Sequence, residues 1–261
     1  IWLPRAYAYA PSAVSVLLAA TATKASLYIL ARILFTVFEN SENLINNTLV
    51  FVILPLSIIA MFAGTIMAIY EKDIKRLLAH SSVAQIGYIT LAFAIGTKAS
   101  IAAGFIHMFN HALIKGGLFI AITSISFYIK KRVTINNLSG LGRAMPITFF
   151  CFVLCSLSLA GLPLTAGFIS KLYLIKASIS ADGIWIAILI LISSALSVVY
   201  LWKMIEIMWM REGRKIVINE NPKIYLSLII ITFLNIYFGL DATLVVNGSF
   251  EAAEKLIGNL K

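Results

Sequence analysis

The chain has 261 residues, 61% of them hydrophobic and only 12% charged, against roughly 25% charged in soluble domains. That balance, with a mean hydropathy of +0.95, excludes a soluble fold and makes this an integral membrane protein. The formal net charge of +10 does not mark a nucleic-acid binder, because the positives fall between long apolar runs and form no aromatic-basic clusters.

The chain begins Ile-Trp-Leu-Pro, with no signal-peptide layout, and reads as a piece of a longer one. Apolar segments follow at about 11–35, 48–70, 77–96, 100–129, 146–178, 184–209 and 222–240, each long enough to cross about 30 Å of hydrocarbon. The expected fold is all-α, a polytopic membrane helix bundle of about seven transmembrane helices, one of them broken. Polar breaks separate the spans: Glu39 to Asn43, Glu71-Lys72-Asp73, Gly96-Thr97-Lys98, Asn136-Asn137 with Gly140 and Gly142, Ala181-Asp182-Gly183, and Asn219 to Pro222.

Alternate loops sort the basic residues. Arg5, Lys72, Lys75, Arg76, Lys130, Lys131, Arg132, Arg143, Lys203, Arg211, Arg214, Lys215 and Lys223 fall on one side, and Arg32, Lys98, Lys176, Lys255 and Lys261 on the other. The richer side is expected to be cytoplasmic, with the C-terminus outside. Cys151 and Cys155, four apart in an apolar run, share a helix face and read as small packing residues.

Three cations fall inside spans. Lys24 lies more than ten residues from either end of its helix, among Ala19, Ala20, Ala22, Ala25 and Ser26. Inserting a lysine that deep costs about 2.5–3.5 kcal/mol on insertion scales, so it is expected to be functional or salt-bridged to a carboxylate. In HMFNHALIKGG, residues 107 to 117, each four-residue step rises about 6 Å and turns only about 40°, which stacks His107, His111 and Lys115 on one side. A zinc site fails on ligand count, since Met108 stands where H-E-x-x-H has its glutamate and no third ligand is placed nearby. Imidazole exchanges protons near neutral pH, so a proton relay is favoured over structural packing, with Asn110 extending the polar stripe. Lys171 follows Gly161, Pro163 and Gly167, which together should break the helix and free carbonyls where a bilayer tolerates that only beside protein or a water-filled cavity. Snorkelling of Lys171 to the outer surface is the alternative.

Five stretches in order, WLPRAYAYAPSAVSVLLAATATKASLYILAR, EKDIKRLLAHSSVAQIGY, FIHMFNHALIKGGLF, GLGRAMPITFF and LSLAGLPLTAGFISK, resemble the antiporter-like proton-translocating subunits shared by respiratory complex I, multisubunit cation/proton antiporters and membrane-bound hydrogenases. The likeness runs from residue 1 to about 178. It implies that Lys24 is the central lysine linking two half-channels, that His107, His111 and Lys115 form the polar connection, and that Lys171 is the exit group on the second broken helix. Asp73, Lys75 and Arg76 would belong to a charged cytoplasmic loop with a structural or inter-subunit role. The family's first broken helix, with its lysine and a partner glutamate, would precede Ile1. Residues 1–47 would then end a first repeat, 48–209 form a second inverted five-helix repeat, and 210–261 supply a C-terminal helix and tail.

The expected function is translocation of protons, or exchange of sodium for protons, along this row in a cytoplasmic membrane. The chain would catalyse nothing itself and carry no cofactor, since it has no iron–sulfur cysteine cluster and no glycine-rich nucleotide loop. A redox module and further antiporter-like subunits would be its partners. An independent secondary transporter and a non-conducting scaffold subunit are the rival expectations.

Overall fold

A bilayer offers no water to backbone amides, so an apolar chain crosses it as helices that satisfy their own hydrogen bonds. The computed structural model describes residues 2–38, 45, 47–130, 132–212 and 220–257, and every regular element in them is helical apart from one isolated bridge between Asp73 and Thr134. The Glu39–Asn43 break, Lys131, Arg214, Lys215, Asn219 and Lys261 lie outside the described residues. In chain order the helices are α1 (Trp2–Tyr9), α2 (Ser12–Val37), α3 (Leu49–Tyr70), α4 (Ile74–Ile95), α5 (Lys98–Ile129), α6 (Leu141–Ala144), α7 (Pro146–Ala160), α8 (Ala166–Ser180), α9 (Ile184–Trp209), α10 (Pro222–Leu240) and α11 (Thr243–Ile257). Six of them, α2, α3, α4, α5, α9 and α10, are long and apolar enough to cross a membrane. The expected seventh crossing is the interrupted pair α7 and α8.

Local chemistry sets the ends. Asp73 caps α4 by accepting from the Arg76 amide at 2.9 Å, and Gly96 closes it at φ +74°. Lys75 and Arg76 therefore stand in the first turn of α4 rather than in a loop, because the Asp73 cap starts that helix three residues earlier than the apolar pattern does. Thr97 and Ser100 form a reciprocal capping box for α5. Glu220, just ahead of α10, accepts from the Ile147 and Thr148 amides at 3.0 Å each and from the Thr148 hydroxyl, so a buried carboxylate closes the N-terminus of α7.

The inner layer is α4 and α5, with Leu77, Leu78, Ile89, Leu91, Ile101, Ile106, Leu118 and Ile122 fully enclosed. Close approach is bought with small residues: a Cβ on Gly64 would meet the Ala84 amide at 2.6 Å, and one on Gly87 the Met61 amide at 2.8 Å, so α3 lies almost backbone to backbone on α4. Charged contacts group at the two ends of the bundle. Lys75 reaches the Ala10 carbonyl, Lys203 the Ile69 carbonyl and Arg132 the Asp73 carboxylate at one end, while Lys98 pairs with Glu254 at 3.1 Å at the other. Apart from the single turn α6, two helices had no counterpart in the apolar pattern. One is α1. The other is α11, whose Ala253 and Leu256 pack beside Leu27, Phe93 and Ile101.

The break falls after Ala160, where Gly161 takes φ +92° and Leu164 φ +69°. Pro163 sits between them, where it withdraws a backbone donor. Gly167 is not part of the interruption. It lies in the first turn of α8, and a Cβ there would drive into the Ser158 carbonyl of α7. Gly167→Ala is therefore expected to cost about 1–3 kcal/mol through overpacking. Gly248→Ala, with nothing within 4 Å of the added carbon, should be neutral or stabilising by about 0.4–1 kcal/mol. Thermal unfolding of the solubilised protein followed by circular dichroism checks both.

Candidate functional site

The repeat of four residues along α5 does put His107, His111 and Lys115 on one buried face, at 2%, 1% and 0% exposure. Each meets a different neighbour. His107 Nε2 lies 3.0 Å from Gln85 Oε1 on α4 and Nδ1 lies 2.9 Å from Ser170 Oγ on α8. With Gln85 accepting, Nε2 carries the ring proton and Nδ1 accepts from Ser170. The Ser170 hydroxyl also lies 3.0 Å from the Gly167 carbonyl, so its one hydrogen chooses between imidazole and backbone.

His111 stacks on His107 with ring centroids 6.1 Å apart and planes 3° from parallel. Neither of its nitrogens has a hydrogen-bond partner among the described residues. Lys115 turns to α4, donating to the Leu78 carbonyl at 2.8 Å and to the Ser81 hydroxyl. Asn110 donates to the Ala166 carbonyl at 2.7 Å and so holds the start of α8 against α5.

Lys24 is buried at 8% exposure, and its ammonium donates to the Ala19 carbonyl one wide turn back. That acceptor belongs to a π-helical stretch, Leu18–Ala22, inside α2, a distortion frequent at functional positions. No carboxylate pairs with Lys24 among the described residues.

Lys171 does not snorkel. At 5% exposure it folds back on the broken helix and donates to the Leu159 carbonyl at 2.9 Å, the Ala160 carbonyl at 2.8 Å and Ser194 Oγ on α9 at 2.8 Å. A side chain at Gly161 would strike its Cδ at 2.9 Å. The Tyr88 ring of α4 faces Lys171 Nζ at 5.6 Å and meets His107 edge-on at 5.6 Å, so one aromatic spans the gap between them. Ser158, on α7, donates to Asn235 of α10 at 2.8 Å and accepts the Gly167 amide at 3.1 Å, which fixes both halves of the break to a third helix.

Lys24, His107, His111, Lys115 and Lys171 are thus all buried, with His107 and His111 stacked and the Tyr88 ring between His107 and Lys171. Asp73, Lys75 and Arg76 stand apart at the end of the bundle, where they cap α4, reach Ala10 and pair with Glu71 at 3.6 Å. Gly117 admits Cys155 of α7, whose sulfur would lie 2.5 Å from an added Cβ. Gly116 makes only ordinary contacts, the nearest at 3.8 Å, so only one of the two glycines is needed for close approach. Gln85, Ser170, Ser81 and Ser194 were missed by the sequence reading. Ser81, Gln85 and Tyr88 are spaced four and three apart in SSVAQIGY, a polar face on α4 that the same periodicity argument would have found.

A broken span and several buried lysines and histidines within an all-helical membrane bundle are features of a membrane protein of the antiporter-like class. The chain belongs to the NADH:quinone oxidoreductase/Mrp antiporter transmembrane family, whose sequence pattern matches residues 1–197. It is 40% identical over 206 residues to NADH-quinone oxidoreductase subunit N of Desulforudis audaxviator, an alignment covering 78% of this chain and 40% of that protein. Among solved structures it superposes on a chain of the archaeal membrane-bound sulfane sulfur reductase with a TM-score of 0.86 at 30% identity, over 100% of this chain and 54% of that one. It also superposes on a chain of the Mrp complex from Dietzia sp., with a TM-score of 0.88 at 23% identity over 100% and 57%, a likeness of fold. The chain spans about half the length of these relatives, or less.

The two histidines should separate in stability. His107→Leu orphans Gln85 Oε1, while Ser170 keeps the Gly167 carbonyl, and is expected to cost about 1–3 kcal/mol. His111→Leu removes no hydrogen bond within the described residues and should be neutral or stabilising. Unfolding midpoints of the two variants in one detergent provide the comparison.

Proposed function

We propose that this chain forms part of an antiporter-like subunit that moves protons, or exchanges sodium for protons, along the row Lys24, His111, His107 and Lys171, with Lys115 as a side group. What supports this reading is that five basic side chains are buried with no carboxylate paired to any of them among the described residues. Like charges at that depth repel strongly, so the row is unsuited to holding all its protons at once. A proton arriving at Lys24 raises the cost of one on His111 or Lys115, and relief comes by passing charge along the file. His111, with two unpartnered nitrogens, is free to take a proton from one side and release it to the other. His107 can take a proton at Nδ1 as Ser170 turns to the Gly167 carbonyl, and release the one on Nε2. At the far end the broken helix presents carbonyls to the Lys171 ammonium.

Several features follow from the same reading. The basic end of the bundle faces the cytoplasm of a cell whose cytoplasmic membrane holds the protein. Residues 1–47 close a first repeat, 48–209 form the second inverted repeat, and the tail includes α11. The partners are other membrane subunits and a redox module, in keeping with relatives described as subunits of respiratory complexes. Lys24 and Lys171 test the reading in the full-length subunit within its complex, reconstituted in vesicles with a pH-sensitive dye and sodium tracer. Lys24→Ala and Lys171→Ala should each lose most proton pumping while the complex assembles and turns over. Unchanged pumping by both variants would leave a scaffold subunit. Loss of transport of another solute with proton flux intact would leave an independent transporter.

A further inference from the structure

The hydrogen count around Lys171 assigns a role to Ser194 of α9. Three oxygens surround Lys171 Nζ: the Leu159 and Ala160 carbonyls and Ser194 Oγ, at 2.8–2.9 Å. Ser194 in turn donates its own hydrogen to the Ala160 carbonyl at 2.9 Å. Three acceptors thus match the three N–H bonds of an ammonium. A neutral amine has only two hydrogens and a lone pair, and that lone pair would face an oxygen that is itself accepting.

Two of the three oxygens are carbonyls and have nothing to donate. The other groups around Lys171 are no better placed. Tyr88, from α4, presents its ring face and directs its hydroxyl to the Ile190 carbonyl at 3.4 Å. His107, from α5, has both nitrogens engaged by Ser170 and Gln85. Gly161 has no side chain to offer a hydrogen there. Among these groups only Ser194 can turn its hydrogen toward the lysine nitrogen.

We propose that Ser194 is a positioning residue whose hydroxyl switches partner with the charge of Lys171. It donates to the Ala160 carbonyl when the lysine is an ammonium and to the lysine nitrogen when it is a neutral amine. The proton leaves Lys171 with no co-reactant beyond the acceptor that takes it, and one hydrogen bond reverses direction as it goes. The Ala160 carbonyl keeps an amine hydrogen, so the lysine stays seated on the end of α7 in both states. Without the hydroxyl the ammonium lacks its third acceptor and the neutral amine its donor, so each charge state keeps the two carbonyls and loses one hydrogen bond.

This inference rests on the reading of Lys171 as a proton carrier, and the variants are chosen so that the two fail separately. In the assembled complex in vesicles, Ser194→Ala should lower proton pumping about tenfold, the worth of one hydrogen bond, with an altered pH profile because the two charge states of Lys171 lose unlike hydrogen bonds. Ser194→Thr, which keeps the hydroxyl, should restore the wild-type rate and pH profile. Ser194→Cys, a weak donor of similar size, replaces Ala in the comparison if Ala disturbs assembly. A Ser194→Ala complex with wild-type rate and pH profile, while Lys171→Ala has lost pumping, overturns the role of Ser194 alone. Equal impairment of Ser194→Thr and Ser194→Ala with an unaltered pH profile marks a packing residue and overturns it too. Wild-type pumping by Lys171→Ala overturns the proton-carrier reading and this inference with it.

Discussion

Where α7 stops at Ala160, its last carbonyls are left in a region that has no water to receive them, and they must be satisfied by the protein. Lys171 does this from the next half-helix, eleven and twelve residues along. The rest of the interior is arranged around that exchange. Gly161 has to be bare for the lysine to pass, Gly167 has to be bare for α8 to lie on Ser158, and Asn235 ties both to α10. A cation near a helix C-terminus is favoured by the carbonyl dipoles, so the break supplies a seat for charge that a continuous helix would not.

Away from the break, the interior offers little compensation for charge. Ion pairs among the described residues are found at the two ends, as with Arg132 and Asp73 or Lys98 and Glu254. The middle has neutral acceptors instead: the Ala19 and Leu78 carbonyls, Ser81, Gln85 and Ser170. Such groups hold a lysine or histidine in place without fixing its charge as a carboxylate would. That is the electrostatic basis for reading the row as a path in preference to a structural network.

Much of this was legible in the chain itself. Six of the seven expected crossings are long helices, and the seventh is interrupted where Gly161 and Pro163 stand, because span length and the backbone limits of those two residues are local properties. The stacking of His107, His111 and Lys115 followed from helix geometry alone. What escaped depends on distance in sequence. Ser194 meets Lys171 twenty-three residues away on another helix, and Gln85 meets His107 across twenty-two. Gly167 read as a breaker because a glycine near a proline suggests freedom, whereas here it marks contact with α7. The helix α11 was hidden for another reason: only one of its faces is apolar, and it lies against Leu27 and Ile101 in place of crossing. The π-helical stretch ahead of Lys24 leaves no composition signal beyond a run of small residues.

The most direct test of the central claim, that the buried row conducts protons, is pumping by the complex carrying His111→Leu. The side chain makes no hydrogen bond to any described residue, so its removal separates conduction from structure better than any other member of the row. The account predicts an assembled, stable complex with normal redox turnover and little proton translocation. Wild-type proton translocation by that complex would contradict it.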